Sequence, residues 1–174
     1  HMDTSDSIPL EETLEALGEL VKQGKVRQIG LSNETPWGTM KYLELAETKS
    51  LPRVASIQNA YNLVNRGFEI GLSEVAMHEQ VGLLAYSPLA QGTLTGKYLG
   101  GQMPQGSRLA LFGDGPLMMR YKGDKTQQAI EMYVNLAKKY EIDPAQLAIQ
   151  FCDIQPFVTS TIIGATTMEQ LKTC

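Results

Sequence analysis

The sequence predicts an α/β fold in which parallel strands alternate with helices. Three observations carry that expectation. Apolar residues at helical spacing alternate with short apolar runs, Gly, Pro, Asn or Ser closes most of these segments, and polar residues follow each run at corresponding places. The 174 residues, 43% hydrophobic and 20% charged, suffice for a substantial core, and one domain over 1–174 is expected.

Leu10, Leu14, Leu17, Leu20 and Val21 recur at helical spacing, with Pro9 near the first turn and Gly24 just past the last. A strand from Val26 to Leu31 follows and breaks at Ser32-Asn33. Thr35 and Pro36 open a second helix carrying Met40, Leu43 and Leu45, and a second strand runs from Arg53 to Gln58. A third helix covers Phe68 to His78, with Leu72, Val75 and Ala76 as its apolar side, before a third strand from Val81 to Tyr86. The segment from Ser87 to Asp124 is irregular and rich in Gly, Pro, Gln and Met; segments of that length inside compact domains are usually functional. Two helices come next, Thr126 to Tyr140 and Pro144 to Cys152, the second capped by Asp143. A fourth strand starts at Val158, and Thr166 or Thr167 caps a final helix.

A net charge of −4, with Lys and Arg scattered among Asp and Glu, argues against a nucleic-acid partner. The sequence has no run of about 18 apolar residues and no basic leader before an apolar stretch, so no membrane association and a cytoplasmic location are expected. His1-Met2 reads as a vector scar. Cys152 sits in an apolar helical pattern and Cys174 stands alone, which gives two free thiols, and no His/Cys cluster suggests a metal.

Polar groups fall immediately after each strand: Ser32-Asn33, Gln58-Asn59, Tyr86-Ser87 and Gly164-Ala165-Thr166. Parallel strands bring their C-terminal ends to one face, which holds the ligand in βα barrels and open α/β sheets alike. Any one pair also reads as a helix cap; four together point to a site.

The stretches "GKVRQIGLSN", "IQNAYNL", "AYSPLAQGTLTGKY" and "IIGATTMEQLK", in that order, resemble the C-terminal half of the aldo-keto reductases. The resemblance is strongest to the bacterial Tas-type branch, related to potassium-channel beta subunits. It implies half of a (β/α)8 TIM barrel, with four parallel strands alternating with helices, from a family that uses NADP(H) to reduce small-molecule aldehydes and ketones. By position, Ser32, Asn33 and Gln58 match residues that hydrogen-bond the nicotinamide carboxamide, and amide side chains offer it both a donor and an acceptor. Tyr86 matches the aromatic that stacks on the nicotinamide ring. Ser87, Pro88, Leu89, Gln91 and Gly92 match the segment along the pyrophosphate, where small residues and backbone N–H groups admit anionic oxygens. Lys97 and Arg108 match cations that reach the phosphates. Gly164, Thr166 and Gln170 match the turn and helix start that receive the adenosine 2′-phosphate and adenine. Thr173-Cys174 departs from the family's Glu-Asn.

The same resemblance assigns the general-acid Tyr, its Lys and Asp partners and the carbonyl-orienting His to the first half of the barrel. No catalytic residue is therefore expected here, and this chain alone is expected to be inactive. No substitute presents itself. His78 falls at a helix end remote from the strand C-termini, Tyr61 lacks partners at motif spacing, and Asp143 and Asp153 read as a helix cap and a helix-end carboxylate. A half barrel would leave two unpaired strand edges and an apolar inner face, so a homo-oligomer covering that face is expected. Met103, Leu109, Leu111, Phe112, Met118 and Met119, in the loop from Gly100 to Asp124, suit a substrate pocket or a subunit contact, of which the contact is favoured because the facing half of any pocket lies outside this chain. The alternative is a non-catalytic, self-associating binding or scaffold module derived from the same family.

Overall fold

The computed structural model describes residues 8–113 and 115–174; His1-Met2 lies outside them. Helix α1 (Leu10–Lys22) opens with Glu11 and Glu12 and closes with Lys22, charges that complement its dipole. Gly24, at φ +69°, ends it, and the Lys25 and Val26 N–H groups donate back to the Leu20 carbonyl at 3.0 and 3.4 Å. That termination uses up Val26. Strand β1 therefore spans Ile29–Ser32 and starts later than its β-branched residues suggest.

Helix α2 (Pro36–Thr48) begins where expected: Thr35 Oγ1 accepts from the Gly38 N–H at 3.0 Å, with proline at the first helical position. Leu43 and Leu45 are buried, whereas Met40 is exposed. Strand β2 (Val54–Ala60) extends past Gln58 and takes Gln58 and Asn59 into the strand rather than leaving them after it. The expected third helix divides into a 3-10 turn at Gly67–Glu69 and α3 (Leu72–Glu79), because Gly71 takes φ +91° between them. Strand β3 spans Gly82–Tyr86.

The segment expected to be irregular holds 3-10 turns at Ala90–Thr95 and Leu99–Gly101 and the short helices α4 (Arg108–Phe112) and α5 (Pro116–Met119). Then come α6 (Asp124–Lys139), α7 (Pro144–Asp153), β4 (Val158–Ile162) and α8 (Met168–Thr173). Asp143 caps α7, accepting from the Ala145 N–H at 2.7 Å, and Thr167 caps α8, accepting from the Gln170 N–H at 3.2 Å.

The four strands are parallel and lie in the order β1-β2-β3-β4. Ser32 stands opposite Gln58 in the β1–β2 register. The chain divides into two compact units. Among the described residues, one comprises 8–60, 67–84 and 156–160, the other 61–66, 85–113, 115–155 and 161–174. In the first, Val54, Ile57, Val81 and Leu83 are buried, and the Phe68 and Phe157 rings lie 5.5 Å apart. The exposed strand positions of this unit are Gly30, Ala55, Gln58, Thr159 and Ser160. In the second unit Ala90, Leu94, Tyr121, Ile130, Val134 and Ala148 form the core, and Tyr61 stacks on Phe151 with centroids 5.6 Å apart.

Candidate functional site

The expected site residues fall at the ends of β1 and β2 in the first unit, and in the second unit in the loop after Tyr86 and at the turn before α8. In the first unit β1 ends at Ser32 and the chain turns at Asn33, which adopts φ +56°. Asn33 tolerates the left-handed region better than most residues, since its short amide bonds locally. Its Nδ2 donates to Ser32 Oγ at 3.4 Å, and its backbone N–H donates to the Gln58 carbonyl at 3.0 Å. Ser32, at the end of β1, thus stands in register with Gln58 within β2, and Gln58 is exposed. Next to it, Asn59 Oδ1 is buried and has no hydrogen-bond partner among the described residues. Such a buried acceptor normally costs stability, and sequence reading passed over it as part of a polar pair.

In the second unit the polypeptide after Tyr86 folds back on itself. The Tyr86 carbonyl accepts from the Tyr61 N–H at 3.2 Å. Ser87, Ala90, Gln91 and Gly92 adopt φ of +56°, +48°, +61° and +92°. Three of those four carry a Cβ, so the left-handed backbone is maintained against local preference. The Ser87 carbonyl accepts from the Ala90 N–H at 2.9 Å, and the Leu89 carbonyl accepts from the Gly92 N–H at 2.8 Å. Pro88 is buried, and Leu89 packs against the core cluster. Thr93 and Thr95 donate their hydroxyls to the Ala90 and Gly92 carbonyls at 2.8 Å each.

Asn62, fully buried, pins this loop. Its Nδ2 donates to the Ser87 carbonyl at 2.9 Å and to Tyr121 Oη at 3.2 Å, while its Oδ1 accepts from the Val64 N–H at 3.1 Å. Sequence reading missed that role, although the "YNL" step of a quoted stretch contains the residue.

The polar side chains of the loop are linked. Gln91 Nε2 donates to Ser87 Oγ at 2.9 Å, and Gln91 Oε1 accepts from the Arg108 guanidinium. Lys97 folds over the glycine that precedes it in the loop: a Cβ on Gly92 would lie 2.8 Å from Lys97 Nζ. The same ammonium stands 5.2 Å from the Tyr98 ring centroid. Two cations, a hydroxyl and a glycine at φ +92° thus surround one loop, a donor set suited to anionic oxygens.

Gly164, Thr166 and Gln170 are all exposed. Gln170 Oε1 accepts from the Thr166 N–H and hydroxyl at 2.9 and 3.1 Å, so the amide closes the turn before α8.

The residues set aside as substitutes keep structural places. His78 is exposed on the last turn of α3, Tyr61 is fully buried, Asp143 is the α7 cap and Asp153 bonds Thr161. Burial, with Asp153 adding to it, pushes the Cys152 thiol up to about 12; Cys174 is exposed. Among the described residues no His/Cys/Asp/Glu group is placed to hold a metal, and no helix is long and apolar enough to cross a membrane. A hollow of about 750 Å³ in the first unit, lined by Glu12, Glu15, Glu19 and Pro52 among others, contains none of the expected site residues.

The chain is similar to known proteins. The model of the aldo/keto reductase family matches residues 2–174. Protein tas of Escherichia coli is 53% identical over 171 residues, covering 98% of this chain and 49% of that protein. The L-glyceraldehyde 3-phosphate reductase of the same organism is 35% identical over 170 residues, with 96% and 49% covered. A probable voltage-gated potassium channel subunit beta of rice (Oryza sativa subsp. japonica) is 32% identical over 164 residues, with 94% and 50% covered. The chain spans about half the length of these relatives.

Proposed function

The chain belongs to the aldo/keto reductase family, and from that premise we propose that it carries the cofactor-binding part of an NADP(H)-dependent carbonyl reductase. When bound, the dinucleotide supplies the hydride that reduces an aldehyde or ketone. The observation that carries the reading is the loop after Tyr86, where Ser87, Gly92, Lys97 and Arg108 gather hydroxyl, glycine and two cations at one backbone turn.

In this reading Ser32, Asn33 and Gln58 hold the carboxamide, since together they offer both donors and acceptors. Tyr86 packs the nicotinamide ring. Ser87, Pro88, Leu89, Gln91 and Gly92 follow the pyrophosphate, and Lys97 and Arg108 hold its charge through contacts worth about 1.5–3 kcal/mol each. Gly164, Thr166 and Gln170 take the adenosine 2′-phosphate end. The proton-transferring Tyr, Lys, Asp and His belong to the other half of the family's barrel, so the 174 residues alone bind without turning over.

Mixing this chain with a polypeptide covering the unmatched half of a full-length relative, and following NADPH oxidation with an aromatic aldehyde, tests the proposal. Turnover by the mixture and by neither part alone is expected. No turnover from a mixture that forms a stable complex would contradict it and favour a scaffold role.

A further inference from the structure

We infer that Gln91 is a positioning residue that holds the Arg108 guanidinium on the loop after Tyr86, so that the cation is aimed before an anionic ligand arrives. The inference rests on the dinucleotide reading above and deepens it.

Backbone cost is the first observation. Gln91 adopts φ +61° between Ala90 at +48° and Gly92 at +92°. Glycine would take that conformation freely, whereas any residue with a Cβ is disfavoured there. A glutamine at such a place has to recover the difference through its side chain.

The amide does so at both ends. Its Nε2 donates to Ser87 Oγ at 2.9 Å and its Oε1 accepts from Arg108. The carbonyl end is thereby turned toward the cation, 17 residues away in sequence.

Arg108 is the third observation. It is exposed at the start of α4, a helix of five residues. The neighbouring Leu109 N–H donates to Tyr98 Oη at 3.4 Å, and Ser107 caps the helix by accepting from the Ala110 N–H at 3.3 Å. Backbone and side chain are therefore both tied to the loop. A long exposed arginine ordinarily loses rotamer freedom when it grips a ligand, and one already held loses less. Among the described residues no carboxylate lies within ion-pair distance of Arg108. Its holder is a neutral amide, which orients the guanidinium and leaves its charge for the ligand.

NADPH titrated by fluorescence into the chain and into Gln91→Met, Gln91→Gly, Arg108→Met and the Gln91→Met/Arg108→Met double variant tests this. Loss of the amide weakens binding about fivefold in either Gln91 variant, in line with one hydrogen bond to a charged group. Gln91→Gly does so while melting no lower than the parent chain, because glycine suits the backbone, and that separates positioning from folding. In the Arg108→Met background Gln91→Met adds nothing further. Equal loss with and without Arg108, or no loss at all, overturns the inference and leaves the dinucleotide reading standing. Absence of NADPH binding by the folded parent chain overturns the reading and the inference together.

Discussion

At the scale of single residues, burial decides chemistry. Cys152 is fully buried, and its Sγ donates toward the Tyr61 carbonyl at 3.5 Å. Its thiol is held up to about 12 first by burial and then by Asp153. A raised folded-state pKa contributes stability that is fully present below the unfolded value, about 8.5, and is lost as pH rises toward the folded one. Urea midpoints measured at pH 8 and pH 10 should fall more for the parent chain than for Cys152→Ala; equal falls would contradict the assignment. Native thiol labelling should modify Cys174 and spare Cys152. Gly82 shows a different constraint, since a Cβ there would lie 1.8 Å from Thr159 Oγ1. Gly82→Ala should cost about 1–3 kcal/mol through overpacking, with partial recovery in Gly82→Ala/Thr159→Ala, as read from chemical denaturation. Neither constraint is legible in sequence: a lone glycine in a strand and a cysteine in a helix look alike whatever their neighbours.

Elements were legible where local signals and packing agree. Pro36 after Thr35 and Pro144 after Asp143 mark helix starts that the structure keeps, because the caps are local hydrogen bonds. Asp143→Ala should therefore cost about 1 kcal/mol, seen as a lowered unfolding midpoint; an unchanged midpoint would mean that the cap contributes nothing. Val26 misled because its β-branched side chain suggested a strand while its N–H served the end of α1. The short helices between Ser87 and Asp124 could not be foreseen, since nothing periodic marks α4 or α5. They depend on contacts distant in sequence, such as Leu109 with Tyr98. The candidate site was expected from four polar groups after strands and from the quoted stretches, of which Gln58-Asn59 lies within β2 instead. What stayed hidden was the hydrogen bonding that shapes it: Asn62 beneath Ser87, and Gln91 between Ser87 and Arg108. Polar residues after a strand look like turn formers, and only the folded loop shows which of them bond to each other.

At the scale of the whole molecule, the chain covers about half of each relative and presents β1 and β4 as the edges of its four-stranded sheet. Strand edges recruit further strands, so light scattering on the purified chain should give a dimer or larger species. A monodisperse monomer would contradict that expectation. The proposal that the strand ends hold NADP(H) is tested most directly by titrating NADPH, with NADH alongside, into the purified chain and following fluorescence. Saturable binding that favours NADPH, weakened about tenfold by Lys97→Met, is the expected result. A chain that is folded by circular dichroism yet shows no saturable change with either dinucleotide would contradict it.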